Sequence, residues 1–198
     1  MAAGAALAGA QAAHTSALSP AQTAPPAGTL SFDGAALGMT IGAWKSLSPP
    51  PGVGPSAAAD CEPGIVAALR ESRIVAATPG PGHATCAYAA RFGDDVLLHS
   101  ARLDDRYRID GLRYQFTRGR LSEVDFTASV DAYNDIVMKL THDYGAPTAT
   151  ERSITRAAGR RLPQVRQTWR AQGGVVTLTD PTDNPLRLSV RIAASGAP

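Results

Sequence analysis

The two side-chain types most often found at reactive centres near neutral pH are sparse in this 198-residue chain: two cysteines, Cys61 and Cys86, and four histidines, His14, His83, His99 and His142. A cysteine attacks or ligates as its thiolate, which a neighbouring cation or metal favours. Cys61 sits instead in Asp60-Cys61-Glu62-Pro63, whose acids push a thiol pKa up. The two cysteines are therefore expected to form one disulfide, as a pair in an exported chain usually does. His83 lies three residues before Cys86, but a His-x-x-Cys pair falls short of the four ligands of a zinc site.

The one arrangement that suggests a reaction is His99 with Asp94, Asp95, Asp104 and Asp105. If two hairpin loops converged, these groups could hold a divalent cation or form an acid–base pair, giving a small envelope hydrolase or metal-dependent enzyme as the alternative function. Aspartates in such loops more often just form turns. Asp131 and Asp135, four apart on a helix, lie off its apolar stripe and read as a solvated face. No Gly-x-Ser-x-Gly elbow, Walker loop or His-Glu-x-x-His occurs, and Ser100 beside His99 does not make a triad. No catalytic residue, metal site or cofactor is assigned.

Binding is the stronger expectation. Arg152, Arg156, Arg160, Arg161, Arg166 and Arg170 fall in a segment where Glu151 is the only acid. Arg166, Trp169, Arg170, Arg187 and Arg191 are the candidate binding residues, on the outer face of a sheet where they could engage an envelope protein or a cell-surface polymer, although arginines on a sheet also serve as a solubilising face whose stems cover apolar strands. Trp44 and Trp169 also suit a core; a solvent-facing Trp169 beside Arg170 would mark a hot spot. Nucleic acid is disfavoured. The formal charge is only +2, and lysine occurs only at Lys45 and Lys139 amid abundant Ala, Gly, Pro and Arg, as a GC-rich genome produces without selection for phosphate binding.

These residues must be positioned by elements whose patterns alternate between helix and strand. Thr40 can cap a short helix bearing Ile41, Trp44 and Leu47 on one face, ended by Ser48-Pro49-Pro50-Pro51. Residues 63–75 suit either a helix or a strand, and Pro79-Gly80-Pro81-Gly82 turns after them. Cys86 and Tyr88 alternate before a turn at Gly93-Asp94-Asp95. Leu112, Tyr114 and Phe116 alternate, Arg118-Gly119 turns, and Leu121, Val124 and Phe126 return with a change of phase that suggests a bulge. Val130, Tyr133, Ile136, Val137, Leu140 and Tyr144 form a helical stripe that Gly145 and Pro147 stop. Strands are expected over 149–155, 163–171, 175–180 and 186–192. In the last, Leu186, Leu188, Val190 and Ile192 oppose Arg187, Ser189 and Arg191.

The expected fold class is α+β, a helix plus an antiparallel β-meander in each of two related halves, about 30–128 and 129–194, sharing one core. Residues 1–12 read as a signal-peptide-like leader and 13–29 as a disordered tether, so the protein is expected in the periplasm or secreted. No apolar run is long enough to span a bilayer, and nothing in the sequence sets an oligomeric state. In Gly38-Met39-Thr40 opening a helix, Tyr144-Gly145-Ala146-Pro147 closing another, and the hairpin from Leu112 to Phe116 between them, the chain resembles small bacterial α+β envelope modules. That group includes the small lipoprotein of the outer-membrane assembly machinery and the β-lactamase inhibitor proteins. The resemblance implies a packing-and-binding scaffold; the lipid-anchor cysteine of the lipoprotein has no counterpart here.

Overall fold

Two tight turns show how locally the strand pattern is set. Arg118 and Gly119 both take positive φ (52° and 74°), as do Ala158 and Gly159 (48° and 76°), the two-residue geometry whose twist matches that of flanking strands. The computed structural model describes residues 29–61, 63–71, 80–103 and 106–195. In chain order, its elements are β1 (Ser31–Phe32), β2 (Ala35–Ala36), α1 (Ile41–Lys45), β3 (Ala58–Asp60), α2 (Pro63–Glu71), β4 (His83–Phe92), β5 (Asp95–Leu98) and β6 (Ala101–Leu103). β7 (Tyr107–Thr117) and β8 (Arg120–Ser129) follow, then a 3₁₀ turn (Val130–Ala132), α3 (Tyr133–Tyr144), β9 (Ala149–Ala157), β10 (Arg160–Ala171), β11 (Gly174–Asp180) and β12 (Arg187–Ala194).

Ten strands form one sheet in the order β3-β4-β7-β8-β12-β11-β10-β9, with β5 on β4 and β6 on β7. Every pairing is antiparallel. The expected α+β class is therefore wrong: this is a β-rich antiparallel fold. The helical signals were real but local. Thr40 caps α1 by accepting from Ala43 N at 3.2 Å, yet α1 runs only five residues. Beyond that cap, fold class is decided by which strands pair. β8 of the first half pairs with β12 of the second over seven residue pairs, making one sheet rather than two helix-plus-meander units.

The undecided segment after Cys61 is helical over Pro63–Glu71, while 72–79 lies outside the described residues. So do the expected leader and all but Thr29 of the expected tether. Cys61 and Cys86 form the expected disulfide. The expected bulge appears as register shifts between Asp110 and Arg113 and between Gln115 and Phe116. Among the described residues no helix is long and apolar enough to cross a membrane.

One face of the sheet carries the main core. Tyr114 and Phe116 of β7, Phe126 of β8 and Leu188 of β12 are buried there with Trp44, whose ring lies 4.8 Å from that of Tyr114. α3 closes part of this face with Ile136 and Leu140. A satellite core, Ile65 and Leu69 of α2 on Ala87 and Ala89 of β4, is separate from it. Because Ala87 and Ala89 alternate with Cys86 and Tyr88 of the main core, α2 packs on the opposite face and covers only that end of it.

Candidate functional site: the open polar face of the sheet

The face left open is polar by alternation. On β12, Leu188, Val190 and Ile192 go to the core, which turns Arg187, Ser189 and Arg191 outward. The expected alternation holds from Leu188 on, while Leu186 lies before β12 and is 69% exposed. The register then sets Arg191 beside Asp125, Ser189 beside Thr127, and Asp125 beside Arg113. A groove of about 760 Å³ runs over these side chains, walled at one end by Leu69 of α2 and by the chain at Leu98–Ser100.

Its floor is held by ion pairs. Arg191 Nη2 lies 2.5 Å from Glu123 Oε2, and Arg113 Nε 2.5 Å from Asp125 Oδ1. Gln115 Nε2 donates to both carboxylates, at 3.0 Å to Glu123 and 3.3 Å to Asp125. Asp110 accepts from Arg187 Nη1 at 2.6 Å, Arg108 Nε at 2.7 Å and Ser100 Oγ at 2.9 Å.

The two aspartates are tuned in opposite senses. Burial alone would raise Asp110, but hydrogen bonds from Arg108, Ser100 and Arg187 together outweigh it and hold the carboxyl below its ordinary value. For Asp125 burial wins over the attraction of Arg113, and its pKa is raised. The hydrogen bond to Glu123 raises Arg191 further above its already high value.

The candidate binding residues are divided by the structure. Arg187 and Arg191 line the groove. Arg166 and Arg170 are exposed and share its face, since Thr179 and Val175 opposite them alternate with the buried Leu178 and Val176. Neither has a carboxylate within ion-pair distance among the described residues. Trp169 does not belong with them. It is 0% exposed on the core side, and its Nε1 donates to the Gly145 carbonyl at 3.0 Å, tying β10 to the end of α3. The sequence reading overlooked Arg108, Asp110, Arg113, Gln115, Glu123 and Asp125. Arg113 and Gln115 alternate with Leu112, Tyr114 and Phe116, a signal that could have placed them on the outer face.

Only some of the groups considered for hydrolysis, His99, Asp94 and Asp95, are among the described residues. His99 Nδ1 accepts from Gly54 N at 3.3 Å, its Nε2 is buried without a described partner, and Ser100 is turned to Asp110. Asp94 and Asp95 are exposed at the turn into β5, while Asp104 and Asp105 lie outside the described residues. Among the described residues no three His, Cys, Asp or Glu side chains are grouped to hold a metal. No family model, no curated protein and no solved structure matches this chain. The geometry is a set of donors and acceptors held by ion pairs on one face of a sheet, with a groove above them.

Proposed function

We propose that this is a non-catalytic exported binding or scaffold protein, periplasmic or secreted, that holds a macromolecular partner on the open face of its sheet. The partner is an envelope protein or a cell-surface polymer. The reading rests on the groove floor, where Asp110, Glu123 and Asp125 clamp four arginines in place. Side chains already immobilised lose little rotamer freedom when a partner arrives, and that freedom otherwise costs roughly 0.5–1.5 kcal/mol per side chain. Fixed charges also reject a surface whose pattern does not match. Export is supported by the Cys61–Cys86 bridge, which suits an oxidising compartment, and by the leader-like sequence at the N-terminus. The resemblance to small envelope modules points the same way.

The test is a photoreactive side chain in place of Asn184, which is exposed and lines the groove, against one at Met138, 62% exposed on α3. With a cell-envelope fraction, position 184 should give one discrete adduct that Arg187→Glu abolishes, and position 138 should not. The same adducts from both positions, or none from either, would refute the reading.

A further inference from the structure

β9 ends the sheet, paired among the described residues with β10 alone, in unbroken register from Ala149↔Thr168 to Ala157↔Arg160. β11 joins β10 only from Val165 onward. The stretch from Ser153 to Gln164 therefore stands beyond the sheet as a two-stranded ribbon. All six residues from Ala149 to Ile154 are exposed, so neither face of that part of the strand is covered. Such an edge presents outward N–H and C=O groups to any chain that can lie alongside. The register puts Arg152, Ile154 and Arg156 on one face, opposite Val165, Pro163 and Arg161. Ile154 is 57% exposed, and no carboxylate lies within ion-pair distance of Arg152, Arg156 or Arg161 among the described residues.

We infer that β9 takes up an extended segment of another protein as an added strand, and that this segment carries the alternation acid-x-apolar-x-acid over Arg152, Ile154 and Arg156. Backbone hydrogen bonds supply the affinity of such an addition and alternate side chains its specificity. Residues directly opposite on neighbouring strands share a face, so each arginine selects an acid and Ile154 an apolar residue. The order reads the same in both chain directions. A second copy of this chain does not fit. The face with the arginines holds no acid on β9, so no two-fold pairing of two β9 strands neutralises them. The only acids four residues apart in the whole sequence, Asp131 and Asp135, are held in the 3₁₀ turn and α3.

The probe is a synthetic peptide, Thr-Glu-Thr-Val-Thr-Glu-Thr, with its lysine-for-glutamate counterpart, read by fluorescence anisotropy and by amide exchange. The acidic peptide should bind, slow exchange along β9, and bind roughly tenfold more weakly to Arg152→Glu/Arg156→Glu, two exposed charge reversals. Arg187→Glu in the groove should leave this binding unchanged, which separates the two surfaces. Equal binding of the lysine peptide, protection elsewhere than β9, or no binding of either peptide would overturn the inference. So would anionic vesicles that bind through the same arginines while the peptides do not. Should the double variant misfold, the comparison of the two peptides on the unaltered protein still decides.

Discussion

Replacing both Cys61 and Cys86 with alanine should destabilise the protein by about 3.5 kcal/mol. The cysteines are 25 residues apart, and cross-linking a loop of that length removes about 12 cal/mol/K of chain entropy from the unfolded state. The bridge also has a definite place. Asp60 pairs with Ala87 at the end of β3, so the next pair in register is Cys61 with Cys86, and the disulfide clamps an edge strand of three residues. Against a typical total of about 5–15 kcal/mol the loss is large, and for a chain of this size it lowers the melting temperature by roughly 7–14 °C. Differential scanning fluorimetry and urea unfolding of the variant, and of the unaltered protein with and without reductant, measure it. Reduction should match the double substitution, and amides of β8 and β12 that exchange by global unfolding should lose protection by the same free energy. A melting shift below about 2 °C, or core amides that keep their full protection, would refute the argument.

Trp169→Phe should cost about 1–3 kcal/mol, because it removes the hydrogen bond to the Gly145 carbonyl and leaves space where the fully buried indole packed. Chemical denaturation checks the value, and acrylamide should barely quench either tryptophan, since Trp44 and Trp169 are both 0% exposed. Asp110 has its carboxyl held below the ordinary value of roughly 4. The native state therefore binds fewer protons there than the unfolded chain does, so its contribution is present above pH ~4 and is lost as pH falls through the folded value. Urea midpoints from pH 6 to pH 2.5 should consequently decline less steeply in Asp110→Asn than in the unaltered protein, and parallel declines would show that the groove hydrogen bonds do not tune this group.

The parts of the fold that depend on near neighbours were readable from the sequence. Gly145 and the stripe through Ile136 and Leu140 mark α3 because caps and periodicity act within a few residues. The β7–β8 hairpin and β12 show their alternation in the same way. What escaped was non-local. The groove depends on Asp125 meeting Arg113 on one side and Arg191 on the other, a juxtaposition created by the registers of three strands and a bulge at Asp110/Arg113. Trp169 shows the same limit. Alternation says that Trp169 and Arg170 face opposite ways, but only the neighbouring strand, with Val176 buried beside Trp169, says which way is inward. α2 was ambiguous because a short apolar run suits helix and strand alike, and its packing against Ala87 and Ala89 decides between them.

The position of β12 has a consequence for how the chain reaches this structure. The last strand in sequence among the described residues is not at an edge; it sits between β8 and β11, in the middle of the sheet. A chain emerging from its N-terminus can form the β7–β8 hairpin and the β9–β10–β11 meander early, because their partners are sequence neighbours. Those two pieces stay separate until residues 187–194 arrive to join them. The sheet is thus joined at its centre, by a strand whose two neighbours belong to pieces that can each form without it.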